Sequence, residues 1–203
     1  MADTVRDLAT LQALLADNAP AQDISAQDVR DFLVSVYSDY IKVSDAKIDG
    51  TDGGAFNNGA WRTRDINTED TDTGGHCAIA ANQITLQPGT YVCFIRAPGF
   101  SVNRHKARLR NITDGATEID GSSCYSSNGN LVGNDSIMQG RFTIAAAKTF
   151  EVQHYCSTTK VNNGFGAASN FGVDEVYTVA EFWWHPLSEI VSSSSSSSSS
   201  SAS

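Results

Sequence analysis

Residues 141–184, RFTIAAAKTFEVQHYCSTTKVNNGFGAASNFGVDEVYTVAEFWW, decide the fold, because two dense strand signals flank one Gly/Asn-rich loop. In 150–156 apolar and polar positions alternate. Phe150, Val152, His154 and Cys156 share one face, and Glu151, Gln153 and Tyr155 share the other. That is a strand with one face inward. Residues 176–184 behave differently: Val176, Thr178, Ala180 and Phe182 make one face, while Tyr177, Val179 and Trp183 make a second that is also largely apolar. A strand apolar on both faces needs cover on both. In an antiparallel sandwich the second cover comes from another layer or another subunit. The loop GFGAASNFG offers small residues for close backbone approach rather than a phosphate cradle, since no helix signal follows it.

Upstream of this stretch the strand rhythm continues. Residues 61–66 read as a first strand, followed by an acidic loop, NTEDTDTGG. Residues 83–86 and 91–96 read as a hairpin about QPGT, with Pro88 and Gly89 where a tight turn favours them, and 97–99 break the strand. Residues 105–111 alternate again, with Ala107 and Leu109 inward and Lys106, Arg108 and Arg110 outward. Together with Arg104 these make a row of positive charges, which on so acidic a chain reads as a solvated strand face rather than a phosphate-binding stripe. Short strands at regular spacing, joined by turns and free of helical pattern, indicate a mainly β protein, an antiparallel sandwich or jelly roll.

The chain opens differently. Leu8, Leu11, Leu14 and Leu15 fall at helical spacing in residues 4–17, and Pro20 follows the end of that helix. A second helix starts at Ser25, with Asp28 at capping-box spacing, and carries Val29, Phe32, Leu33 and Val36 as its apolar stripe. Two short α-helices therefore precede the β domain. They fit a hairpin packed on its own domain or a handle that docks elsewhere, and their marginal length favours the handle. The expected organisation is a helical leader over 1–44, a Gly/Asn-rich linker over 45–59, a jelly-roll domain over 60–187 and a serine-rich tail over 188–203. The serine run has nothing to bury and reads as a natural tail, a modified tract or a cloning scar.

Composition limits function. A net charge of -9 argues against a nucleic-acid partner, whose binder should be basic. No stretch approaches the ~20 apolar residues of a membrane span, and the acidic, leucine-spaced start is not a signal peptide. Cys77, Cys93, Cys124 and Cys156 form no CxxC pair, so reduced structural thiols are expected ahead of disulfides, with no metal role. The segments HExxH, GxSxG, GxxxxGKS and GxGxxG are all missing. His76, His105, His154 and His185 are scattered, and Asp65, Glu69, Asp70 and Asp72 lack the spacing and glycine turn of a calcium loop. No catalytic residue, metal or cofactor is expected, and the chain reads as non-enzymatic.

Two groups of residues carry a resemblance. The segment DNAPAQDISAQDVRDFLVSVY resembles a short leader found on phage tail-fibre and virion structural proteins. GAWRTRDINT, ITLQPGTYVCFIRAP, RHKARLRNIT, FTIAAAKTFEVQHYC and NGFGAASNFGVDEVYTVAEFW are together similar to the jelly-roll domain of tumour-necrosis-factor-like or complement-head-like topology in phage fibre tips. The resemblance implies a homotrimer on the virion, with Tyr177, Val179 and Trp183 at the trimer interface and Val29, Phe32, Leu33 and Val36 docking to other virion proteins. It implies a short fibre or spike whose head meets a host surface glycan or protein. A capsid decoration or tail adaptor that contacts only virion proteins is the alternative. The loop YSSNGNLVGN mixes an aromatic with amides, and Tyr125, Asn128 and Asn130 are the receptor-contact candidates.

Overall fold

The structure, a computed structural model, describes residues 29, 30, 32 and 38–187. Residues 38–187 form one compact unit, and its strands make two antiparallel sheets packed face to face. The first sheet has the order β3-β1-β11-β6-β9, from β1 (Asp39–Lys47), β3 (Thr68–Asp72), β6 (Gly89–Phe100), β9 (Gly133–Ile144) and β11 (Glu175–His185). The second has the order β4-β5-β10-β7-β8, from β4 (Cys77–Ala80), β5 (Gln83–Leu86), β7 (Asn103–Asn111), β8 (Ala116–Ser126) and β10 (Lys148–Cys156). The two-residue β2 (Arg62–Thr63) pairs with β10. Successive strands from β5 to β6, from β6 to β7, from β8 to β9 and from β9 to β10 change sheets, which is the jelly-roll path.

The core follows from the period-2 alternation of each strand. Register places Ile41, Phe182 and Cys93 in one inward row and Val43, Ala180, Ile95 and Met138 in the next. Opposite them the second sheet presents Ile84 and Phe150, then Val152 and Leu109. All of these side chains are buried in one cluster. Burying a Phe, Ile or Leu of this size contributes roughly 1.5–3 kcal/mol each. Tyr91 stacks on Phe142 at 5.4 Å, and Phe142 tilts against Phe150 across the sandwich at the same distance.

Several local expectations are corrected. The sandwich begins at Asp39, inside the expected leader and linker, because Ile41 and Val43 alternate with Lys42 and Ser44 and pair with β11. Residues beyond it are packed chain: Phe56 is fully buried and exchanges backbone hydrogen bonds with Lys160. The acidic loop contains an edge strand, β3, whose backbone pairs with β1; Glu69 and Asp70 are exposed, while the Asp72 carboxylate accepts from the His76 and Cys77 N–H groups. Residues 83–86 and 91–96 are not a hairpin, for they lie in opposite sheets. The true hairpin joins β4 to β5 through Ala81 and Asn82, both at positive φ (51° and 64°), the signature of a type I′ turn. The Ala97–Pro98–Gly99 segment does not end β6; it stays paired with Ser136, Asp135 and Asn134 of β9. Of the leader helices, only Val29, Arg30 and Phe32 fall among the described residues, and these are helical.

One buried charge was invisible in the sequence. Arg64 is wholly buried, and its guanidinium donates to the Thr178 hydroxyl (2.7 Å), the Pro98 carbonyl (3.0 Å) and the Phe165 carbonyl (2.8 Å). It also lies 3.9 Å over the Phe165 ring. Burial pulls its pKa down to about 9, partly offset by Asp45 and Asp65. Arg64→Leu should therefore destabilise the protein by about 3 kcal/mol, since the carbonyls it serves lose their donors while the apolar gain is small. Chemical denaturation at pH 7 measures this, and an unchanged midpoint would show that the tie is dispensable.

Candidate functional site

The two outer faces of the sandwich differ in chemistry. Paired residues share a face, so the outer side of the first sheet reads directly from its register. One row runs Tyr40, Trp183, Val92 and Arg141, the next Lys42, Glu181, Phe94 and Gln139, and the third Ser44, Val179, Arg96 and Ile137. Tyr40 and Trp183 pack ring to ring at 5.5 Å, and the Tyr40 hydroxyl donates to Glu181. Val92 and Ile137 are 38% and 41% exposed, so an apolar band lies open on this face. The second sheet presents Thr117, Arg110 and Glu151, then Asp120, Arg108 and Gln153, which is an ordinary wet surface.

The interface candidates fall out unevenly on this frame. Trp183 sits half-buried at the head of the apolar band. Tyr177 is already covered by its own chain: its hydroxyl donates to the Thr51 carbonyl at 2.7 Å, and its ring lies against Gly166. A Cβ on Gly166 would come within 2.2 Å of that ring, so the loop's small residues do permit close approach. Val179 is buried too. The cause is a bulge in β11 opposite Asp45, where Ser44 pairs with Val179 but Ala46 pairs with Val176. The bulge flips the alternation, exposing Val176 and burying Tyr177 and Thr178 together. The strand is thus apolar on both sides for two reasons, its own loops at one end and an open face at the other.

Of the docking candidates, Val29 and Phe32 are helical and exposed (50% and 36%), while Leu33 and Val36 lie outside the described residues. The receptor-contact candidates are brought to one end of the sandwich. Tyr125 stands on β8 at 58% exposure, and Asn128 and Asn130 are exposed in the turn beyond it. The Asn128 backbone N–H donates to the Asn103 side chain (3.1 Å), and Asn134 closes the loop by donating from Nδ2 to the Tyr125 carbonyl (3.1 Å).

Beneath that loop lies a buried histidine pair. Asn134 Oδ1 accepts from His105 Nε2 at 2.7 Å, so His105 Nδ1 is bare and accepts from His154 Nε2 at 2.9 Å. This leaves His154 Nδ1 buried with no partner among the described residues. Both rings are thereby held neutral. Burial, Arg64 and His105 hold the His154 pKa well below its ordinary value, and burial with Arg64 lowers His105 against the opposing pull of Asn134 and Asp135. The four cysteines are free thiols; burial pushes Cys93 and Cys156 up to about 11. Among the described residues no three His, Cys, Asp or Glu side chains are placed to hold a metal ion, and no helix is long and apolar enough to cross a membrane.

No family model and no curated protein matches the sequence. Among solved structures, murine APRIL at pH 5.0 is similar over 72% of this chain and 98% of its own, at 8% identity and a TM-score of 0.47. The globular domain of zebrafish complement 1qA protein covers 72% of this chain and 96% of its own, at 13% identity and a TM-score of 0.46. The PRD1 vertex protein P5 covers 74% and 99%, at 14% identity and a TM-score of 0.41.

The histidine pair makes stability depend on pH. A folded pKa below the unfolded value of about 6.5 means that the unfolded chain binds more protons below that pH. Stability is present above about pH 6.5 and is lost as pH falls toward the folded pKa values, by up to about 1.4 kcal/mol per pH unit for each histidine. Thermal melts between pH 7.5 and about 5.5 should show this fall. A His105→Gln, His154→Phe double variant should have a flatter profile, and an equally steep one would assign the effect to other groups.

Proposed function

We propose that this chain is a non-enzymatic phage virion structural protein, a short trimeric fibre or spike in which the N-terminal leader docks to the virion and the jelly-roll head is displayed. The observation that carries the reading is the asymmetry of the sandwich. The outer face of the five-stranded sheet exposes Val92 and Ile137, with Phe94 in the row between them and Trp183 and Tyr40 in the row of Val92, whereas the opposite face carries the Arg104–Arg110 charge row and gathers its aromatic rings, Trp61, Tyr125 and Tyr155, at one end. An apolar band of this kind, on a chain with a net charge of -9, asks for a partner of the same chemistry, and a second and third copy supply it. The sequence resemblance of residues 60–185 and of the leader to phage virion proteins supplies the setting. Obligate interfaces of this class bury on the order of 2,000 Å² or more.

In this reading the interface candidates narrow to Trp183 and its neighbours, since Tyr177 and Val179 are already covered within the chain. Sedimentation should find three chains of 21.7 kDa together. Replacing both Val92 and Ile137 by Lys should release folded monomers with an unchanged far-ultraviolet spectrum. A wild-type protein that sediments as a monomer would overturn the trimer. For the leader, Phe32→Asp should deplete the protein from purified virions while the head stays folded, and electron microscopy of labelled particles reports its position. Unaltered incorporation would remove the docking role.

A further inference from the structure

On the polar side of the sandwich the strands open a groove of about 550 Å³. Register builds it in two rows. Tyr125 pairs with Arg104, whose backbone carbonyl accepts from the Ser157 N–H at 2.9 Å; beside this row, Ser123 pairs with Lys106, which pairs with Tyr155. Cations therefore lie along the floor and aromatic rings stand on both banks. On one bank Trp61 meets Tyr155 edge-on at 5.7 Å and is held from below by the Arg108 guanidinium, 4.1 Å from its ring. On the other, Tyr125 is 58% exposed with no hydroxyl partner among the described residues.

The charges in the floor are not used up by the fold. Lys106 meets Asp120 at 3.2 Å, an exposed pair that competes weakly with a ligand. The Arg104 guanidinium has no hydrogen-bond or ion-pair partner among the described residues, although the chain carries an excess of carboxylates. An unpaired guanidinium in a groove whose other lining includes Tyr125, its cross-strand partner, is a receptor for a planar anion, which it grips through parallel N–H donors. The rings offer flat apolar faces to the C–H side of a pyranose, and the serine hydroxyls on the floor can serve its alcohols. The groove is too short, and the chain too acidic, for a nucleic-acid track.

We infer that this groove binds an acidic saccharide, a pyranose carrying a carboxylate or sulfate, with Arg104 and Lys106 on the acid and Trp61, Tyr125 and Tyr155 around the ring. The inference rests on the reading of the head as a displayed module and names the ligand class that such a head would meet. It also moves the contact surface. Tyr125 stays, but its neighbours are on β7 and β10 rather than at Asn128 and Asn130 in the turn. The groove and the apolar band occupy opposite outer faces of the sandwich, so a trimer built on the band leaves the groove open.

The test uses the full chain with 3′-sialyllactose, a hyaluronan tetrasaccharide and a heparin-derived tetrasaccharide, followed by saturation-transfer NMR and calorimetry. Lactose, carboxyl-reduced hyaluronan and a thymidine decamer are the comparison ligands. At least one acidic sugar should bind more tightly than its neutral counterpart, and Arg104→Glu and Tyr125→Ala should each weaken that binding by about tenfold or more. The preference between the carboxylated and sulfated probes then identifies the acid. Equal binding of the neutral sugars, no binding of any acidic probe, tighter binding of the decamer, or indifference to both variants would overturn the inference. Sedimentation of the same samples reports assembly independently, so a trimer with no sugar binding would sink the groove alone, while a monomer that binds sugar would sink only the trimer.

Discussion

The pairing of β1 with β11 is the constraint on which the sandwich depends. The first strand of the β domain lies beside its last, from Asp39 opposite Trp184 to Lys47 opposite Glu175. β11 in turn sits between β1 and β6, at the centre of its sheet. The sheet can therefore be completed only when the far end of the chain arrives. Closing so long a loop costs entropy before any contact offsets it, which makes this a slow, high-contact-order topology. Its cooperativity has the same origin: neither end of the domain is stable without the other.

The open end of the sandwich is held by polar groups packed on a second hydrophobic cluster, Phe56, Val102, Cys156 and Phe165. Arg64 binds β11 through Thr178, β6 through Pro98 and the 164–172 loop through Phe165. Close by, His154 and His105 pass a chain of N–H donors outward to Asn134, and so to the turn that carries Asn128 and Asn130. Such networks are demanding, because each buried group left without a partner costs about 1–3 kcal/mol. In return they admit one arrangement of the loops, which an apolar filling would not specify. The bare Nδ1 of His154 is the weak point of that arrangement, and burial beside the Arg64 guanidinium is why a charge on either ring is disfavoured.

The two outer faces differ in chemistry. On one, Tyr40 packs against Trp183, and Val92, Phe94 and Ile137 lie in the same three rows as partly exposed apolar side chains that water solvates poorly. On the other, alternation leaves Arg104, Lys106, Arg108 and Arg110 outward along β7, where neighbouring strands bring carboxylates to some of them and aromatic rings to others. The assembly proposed for the first face and the recognition proposed for the second would draw on different residues.

The sequence by itself determined several of the strands and their inward sides. Phe150, Val152 and Leu109 were assignable because side-chain direction in a strand alternates with a period that is local to the chain. The antiparallel sandwich class followed from the same rhythm, and the jelly roll from the resemblance. β1 is missed by the sequence reading: residues 39–44 fall in the expected helical leader and the glycines after them in the expected linker, although Ile41 and Val43 alternate with Lys42 and Ser44 and Gly53 packs against the 164–172 loop. Tertiary structure alone decided which sheet each strand joined, since alternation marks a face and not a partner; that is why β5 and β6, expected as a hairpin, lie in opposite sheets. It alone decided that Arg64 is buried, because an arginine's need for acceptors is met by carbonyls that the sequence does not mark. It also decided the groove, whose walls come from Trp61, β7, β8 and β10, segments far apart in sequence that only the sheet register places side by side.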